Sequence, residues 1–108
     1  MIARIWRGIT RNDQAQAYFE HLQTAALPPL RRQRGLKQAF LLRREQGEQC
    51  EFQLITVWES DQAMRDWAGS DPERAVYSDQ EDRYLLDMEP LVRLYEVADH
   101  LEGAAFGA

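Results

Sequence analysis

Residues 2–10 crowd Ile2, Ile5, Trp6, Ile9 and Thr10 into one short stretch, a density of β-formers that predicts a first strand. Asn12 or Asp13 then offers a side-chain oxygen to cap a helix start. Ala15, Tyr18, Phe19, Leu22, Ala25 and Ala26 follow at spacings of three and four, which gathers them on one helical face and turns Glu20 and Gln23 to water. Pro28-Pro29 is expected to stop this helix, because proline has no N–H to donate and restricts the residue before it. After a basic loop with Gly35 as its turn residue, residues 36–44 predict a second strand, Glu45-Gln46-Gly47-Glu48 a hairpin turn, and Cys50 to Glu59 a third strand. Ser60 should cap the next helix, whose apolar stripe is Ala63, Met64, Trp67 and Ala68, with Gly69 at its end. Asp71-Pro72 reads as the start of a further short helix anchored by Ala75, Val76, Tyr77, Tyr84, Leu85 and Leu86. Leu91 to Ala98 reads as the last strand.

The predicted order is β-α-β-β-α-β. Its simplest closed solution is a ferredoxin-like α+β sandwich, a four-stranded antiparallel sheet with two helices on one face. Residues 1–99 form this domain in the reading, and 100–108 a C-terminal tail. Residues 39–42, 54–58 and 91–95 are nearly continuous apolar runs, whereas a sheet wetted on one side should alternate. Two helices cover one face only. A second copy of the same sheet is the economical cover for the other, so the pattern predicts a homodimer.

Composition narrows the classes. At 108 residues the chain suits one domain, and its apolar runs are far shorter than the ~20 residues of a membrane helix. Met1-Ile2-Ala3-Arg4 lacks the blocks of a signal peptide, and a single cysteine, Cys50, cannot form an internal disulfide. A reducing cytoplasm is the expected location. The net charge of −5 is unevenly spread, with a balance of +5 over residues 1–50 and −10 over residues 51–108. Arg31, Arg32, Arg34 and Lys37 cluster, but no aromatic residue interleaves with them and the whole chain is acidic. Phosphate neutralisation drives nucleic-acid binding, so no nucleic-acid partner is expected. The basic loop at 31–37 and the acidic stretch at 79–89 are instead candidates for meeting each other, within a subunit or across a dimer.

Few of the usual chemical motifs occur. His21 and His100 are far apart, Cys50 lies in a strand, and no spacing suits a metal. There is no Gly-rich phosphate loop between a strand and a helix, and no GxSxG nucleophile elbow. Cys50 itself reads as a small buried apolar group. The informative set is aromatic: Trp6, Trp58 and Trp67 with Tyr18, Tyr77, Tyr84 and Tyr95. These can fill a core or line a flat apolar pocket, and pattern alone favours the core.

Trp58-Glu59-Ser60, then Trp67, Ser70-Asp71 and Tyr77, resemble the signature of the antibiotic biosynthesis monooxygenase family, and Leu94-Tyr95-Glu96-Val97 fits the same dimeric α+β barrel superfamily. The resemblance spans roughly residues 1–98 and implies a barrel built across a dimer. It covers cofactor-free oxygenases of anthrones and quinols, heme-degrading enzymes, and proteins with no assigned reaction. Of three residues used by the heme-degrading branch, Trp67 matches the tryptophan. The histidine position falls on Tyr77 and the asparagine position near Trp6 or Arg7, which points away from heme.

The cofactor-free branch is the closer likeness. Its chemistry needs a dry aromatic pocket, a donor for an enolate oxygen and a base. The resemblance then implies Trp67, Tyr77 and His21 as catalytic candidates, and a substrate pocket drawn from Arg4, Trp6, Gly8 and Tyr84. Arg4 would stabilise the developing anion, and Gly8 would leave room beside Trp6. The expected function is a cofactor-independent monooxygenase acting on a small aromatic or quinol-like molecule, with no metal and no cofactor. The alternative is a non-catalytic barrel that binds a small apolar ligand.

Overall fold

A computed structural model describes residues 1–75 and 81–103. Strand β1 (Ile2–Arg11) leads into helix α1 (Asn12–His21), a π-helical segment (Leu22–Ala26) and helix α2 (Leu27–Arg31). Strands β2 (Leu36–Gln46) and β3 (Gln49–Trp58) form a hairpin, followed by helix α3 (Asp61–Ala68). A 3₁₀ turn (Glu81–Arg83) precedes the short strands β4 (Leu85–Asp87) and β5 (Arg93–Glu96). The sheet order is β2-β3-β1-β4, with β5 also paired to β1, and every pairing is antiparallel. This is the ferredoxin-like α+β arrangement, helices on one face.

Strand β1 pairs with β3 along its whole length, from Ile2↔Trp58 to Arg11↔Gln49. Its other edge is shared by β4, opposite Ile9 and Thr10, and by β5, opposite Ile2 to Ile5. These two strands are one fourth strand broken in the middle. Pro90 sits in the break and has no N–H for a ladder. The interruption is filled by 73–75, where Ala75 donates to the Pro90 carbonyl at 2.8 Å and Val92 donates to the Glu73 carbonyl at 2.7 Å.

Several sequence expectations are corrected. Neither Asn12 nor Asp13 caps α1. The N-cap residue is Arg11, and the Asn12 side chain instead donates to the Gly47 carbonyl at 2.6 Å, tying the β2–β3 turn to the helix start. Pro28-Pro29 does not end the helical run. The prolines occupy the first turn of α2, where a missing N–H costs little, and the π-helical segment ahead of them absorbs the change, with Leu27 N–H reaching back five residues to Leu22 O. No helix starts at Asp71-Pro72, where the chain makes a turn and an isolated bridge from Arg74 to Leu91. Leu85 and Leu86 belong to β4 rather than to a helix, and the final strand is Arg93–Glu96, shorter than expected. Val76 and Tyr77 lie outside the described residues.

Other expectations are met for identifiable reasons. Ser60 caps α3 by accepting from Ala63 N–H at 3.1 Å, an interaction worth about 1 kcal/mol in helices generally. Gly69, at φ +90°, ends that helix. Gly47, at φ +64°, takes the first central position of a two-residue hairpin turn, where a side chain would be strained. Gly35 is needed for space rather than for its backbone angles, since a Cβ there would lie 2.2 Å from the Ala63 Cβ.

Two buried clusters fill the space between sheet and helices. Trp6, Ala15, Tyr18, Leu22, Cys50 and Phe52 form most of one, and Leu30, Trp58 and Met64 the other. Leu54 and Leu94 touch both. No helix among the described residues covers the opposite sheet face. Phe40 is 50% exposed there, Leu42 47% and Tyr95 51%, so this apolar surface is open in the single subunit.

Charges on the open face are paired locally. Glu51 is buried and forms ion pairs with Arg7 and, at 3.0 Å, with Arg44, while Arg7 reaches Glu89 at 3.0 Å. Within the subunit the basic loop does not meet the acidic stretch among the described residues. Lys37 approaches Glu59 at 3.9 Å, and Glu81 and Glu89 pair with His21 and Arg7. The hydrogen bond from Arg7 holds the Glu51 carboxyl below its ordinary range, against the opposing effect of burial. A carboxyl depressed in the folded state stabilises above its unfolded pKa, and that contribution is lost as pH falls through the folded value. The stability gap between the native chain and Glu51→Gln should therefore be full above about pH 5 and shrink as pH falls below about 4. Urea midpoints measured across that range check this.

Candidate active site

The period of two along β1 turns Arg4, Trp6, Gly8 and Thr10 toward the helices. Opposite them on β3, in register, stand Thr56, Leu54, Phe52 and Cys50. Where the helical run widens at Leu22–Ala26, small residues face this part of the sheet. The result is a cavity of about 190 Å³ lined by Arg4, Trp6 and Leu54 from the sheet, Tyr18 and His21 from α1, and Trp67 from α3, with Ala25, Ala26 and Pro29 along one wall. Glu81, from the 3₁₀ turn, completes it. A larger depression of about 550 Å³ beside the β2–β3 turn is a polar surface groove, lined by Arg11, Asp13 and Glu48 among others.

Arg4 is 6% exposed. Its Nε donates to the Pro72 carbonyl at 3.0 Å and an Nη to the Arg74 carbonyl at 2.9 Å, which fastens the 72–74 segment to the sheet. No carboxylate forms an ion pair with it among the described residues. Burial pushes the guanidinium down from its ordinary pKa, yet arginine stays charged in proteins. The cavity thus carries a buried cation whose described hydrogen-bond partners are neutral carbonyls.

Aromatic side chains line this cavity or back its lining residues. Tyr18 is fully buried, edge-on to Phe52 at 5.3 Å and stacked on His21 at 6.1 Å. Tyr84 stacks on His21 at 5.3 Å and lies 5.5 Å from Tyr18, so the three rings form a triangle. Trp67 lies against Trp58 at 6.4 Å, and the Trp58 indole donates to Thr56 Oγ1 at 2.8 Å, which fixes the wall behind Trp67. His21 Nε2 faces Glu81 Oε1 at 3.7 Å, with both side chains about nine-tenths buried.

Arg4, Trp6, His21 and Trp67, singled out in the sequence, all line the cavity. Tyr84 is not a lining residue but packs behind His21. Gly8 also lies outside the lining, beneath the Trp6 indole, where a Cβ would come within 2.5 Å of Trp6 Cη2. Tyr77 lies outside the described residues. Sequence reasoning missed Glu81, since a glutamate between Asp79 and Asp82 carries the signal of a solvated acidic run. Among the described residues no group of three or more His, Cys, Asp or Glu side chains could hold a metal ion. No described helix is long and apolar enough to cross a membrane.

The fold that carries this cavity is one found in known proteins. The family model of the antibiotic biosynthesis monooxygenases matches residues 1–85. The chain belongs to this family. A search of curated proteins gives no match. Among solved structures, a Bacillus cereus protein provisionally designated an antibiotic biosynthesis monooxygenase aligns over 97% of this chain and 98% of its own, with a TM-score of 0.69 and 14% identity. The heme-degrader MhuD from Mycobacterium tuberculosis, with two hemes bound in its active site, aligns over 94% of this chain and 100% of its own, with a TM-score of 0.60 and 20% identity. A mutant of MhuD with two manganese protoporphyrin IX bound per active site aligns over 95% and 100%, with a TM-score of 0.61 and 23% identity. These likenesses establish the antibiotic biosynthesis monooxygenase fold beyond residue 85, through the broken fourth strand.

The tight seat of Trp6 gives the cavity wall a checkable dependence on Gly8. Gly8→Ala should push the indole toward the cavity, lower stability by about 1–3 kcal/mol and alter the tryptophan emission spectrum. Urea titration followed by fluorescence measures both.

Proposed function

We propose that this family member is a cofactor-independent monooxygenase acting on a small aromatic or quinol-like molecule, working as a homodimer in the cytoplasm. The observation that carries the reading is the cavity in which Arg4, buried and lacking a carboxylate partner among the described residues, stands beside Trp6 and Trp67. An aromatic substrate gains a flat apolar seat, and an anion forming on it gains a countercharge in a site of low polarity.

The chemistry asked of the site is modest. A base removes a proton from an electron-rich ring system, and the resulting anion transfers an electron to molecular oxygen. Recombination of the two radicals gives a peroxide that takes up a proton and loses water. The net change, CH2 and O2 to C=O and H2O, balances with oxygen as the oxidant and the substrate as the reductant. In this reading His21 is the base, Trp67 supplies an indole N–H, and Arg4 holds the anionic oxygen. Tyr84 steadies His21 by stacking, and Tyr77 keeps its candidate role from the family resemblance.

Cavity size favours small substrates. At about 190 Å³ it falls below the roughly 300–1,000 Å³ of pockets for drug-sized ligands. One or two rings suit it. A cavity of this size supports the reading of a small substrate over that of a porphyrin.

The dimer rests on the open sheet face. Phe40, Leu42, Tyr95 and Leu91, the last 62% exposed, form an apolar surface of the kind that monomers rarely leave bare. Sedimentation should give a dimer for the native chain and a monomer for Phe40→Asp.

Oxygen uptake tests the activity. A panel of hydroquinones and anthrones with no added metal or reductant should include a substrate that consumes oxygen, and Trp67→Phe should slow it by about tenfold or more. A panel without turnover overturns the oxygenase reading.

A further inference from the structure

The segment that fills the break in the fourth strand is tied to the cavity. Residues 72–75 form a short strap there. Ala75 N–H donates to the Pro90 carbonyl at 2.8 Å, Val92 N–H donates to the Glu73 carbonyl at 2.7 Å, and Arg74 bridges to Leu91. Apolar packing holds little of the strap, since Asp71, Glu73 and Arg74 are exposed and only Pro72 of these four neighbours is buried. Its other hold is the Arg4 side chain, whose Nε donates to the Pro72 carbonyl at 3.0 Å and whose Nη2 donates to the Arg74 carbonyl at 2.9 Å. A segment with few hydrogen bonds and exposed side chains opens locally more easily than the sheet around it.

Arg4 uses one edge of its planar guanidinium for this task. Nε and Nη2 share that edge, and both donate to the strap. The edge between Nη1 and Nη2 has no partner among the described residues, although Arg4 is buried and lines the cavity. Two parallel N–H groups on such an edge match the two oxygens of a carboxylate. A carboxylate held there fixes the guanidinium from its second side and keeps the first edge on the strap.

The strap's partner segment reaches the opposite sheet face. Val92 turns into the core and is 7% exposed, whereas Leu91 beside it is 62% exposed. Leu91 stands with Ile5, Arg7, Glu89 and Tyr95 around a depression of about 300 Å³ on the open face. A seated strap fixes the backbone of 90–92 and with it the place of Leu91. An open strap frees that backbone, and the apolar surface offered to a second copy loses its fixed shape.

We propose that Arg4 couples the cavity to the open face: a one-ring carboxylate held on its second edge keeps the 72–75 strap seated, and the seated strap sets Leu91 for pairing with a second copy of the chain. Ligand binding and subunit pairing then strengthen each other. Arg4 is a positioning residue for the open face, acting through the strap.

The pairing half rests on the homodimer reading, and separate measurements address the two. Sedimentation equilibrium of the native chain with and without millimolar benzoate measures pairing, and calorimetry measures benzoate binding. Each bound benzoate should tighten the dimer about fivefold, and the dimer should bind benzoate more tightly than monomeric Phe40→Asp by the same factor. Hydrogen exchange at the Ala75 and Val92 amides should slow with benzoate in the native chain and in Phe40→Asp alike, because those amides join the strap to 90–92. Leu91→Ser, a surface change, should keep that protection and lose the effect of benzoate on pairing. Arg4→Lys, which keeps the charge without the planar edge, should lose the protection. A native dimer whose pairing ignores bound benzoate or weakens with it overturns the proposal. Unchanged exchange at Ala75 and Val92 also overturns it, as does no binding at millimolar benzoate. A native chain that stays monomeric throughout defeats the homodimer reading and the pairing half, while slowed exchange would still uphold the link from Arg4 to the strap.

Discussion

The register of β1 is the constraint on which the rest depends. It is paired along its full length to β3 on one edge and to both halves of the broken fourth strand on the other. A strand so held cannot slip by one residue without turning every side chain to the opposite face. That fixes Arg4, Trp6, Gly8 and Thr10 beneath the helices, and Ile5, Arg7 and Ile9 on the open side. From this alternation follow the cation in the cavity, the indole wall, the gap that seats the indole, and the ion-pair network across the sheet.

The cavity and the core are built from the same side chains, and they pull in different directions. Tyr18 and Trp6 pack as core residues, yet both also border the cavity. A wall of Ala25, Ala26 and Pro29 leaves volume unfilled where larger residues would have packed. Arg4 is buried without a carboxylate among the described residues, and His21 and Glu81 hold orphaned polar atoms. Each feature costs stability, and local costs of this kind are expected at a functional site. The compensating rigidity comes from nearby: Trp58 with its hydrogen bond to Thr56, the Ser60 cap, and the close approach of α3 that Gly35 permits.

The two sheet faces divide the work. The helix-covered face holds the cavity. The open face carries exposed aromatic and aliphatic side chains around a charged centre, where Glu51 satisfies two arginines. Apolar runs in β2 and β5 read at first as strands buried on both sides, and in the single subunit they are not. Their side chains are the surplus of a sheet whose described helices cover one side.

Element order, the hairpin at Gly47, the cap at Ser60 and the stop at Gly69 were legible in the sequence, because each rests on contacts between residues close in the chain. Apolar periodicity likewise identified the helical face of Ala15, Tyr18 and Leu22. Local signals misled where a distant partner prevailed. Pro28-Pro29 looked like a stop, but packing of Leu30 into the core carries the helical run past it. Asp71-Pro72 looked like a helix start, but Arg4 and the 90–92 segment capture its backbone hydrogen bonds. The same division holds for the site. Trp67 and Arg4 could be singled out from resemblance and strand alternation, whereas Glu81 sits 60 residues from His21 in an acidic stretch and carries no local mark. Sequence alone determined the alternating faces and the inventory of groups, since a period of two or 3.6 is set by bond geometry. Only the tertiary structure decided which of those groups meet in one cavity, because burial and the pairing of charges depend on neighbours that the chain brings together from far apart.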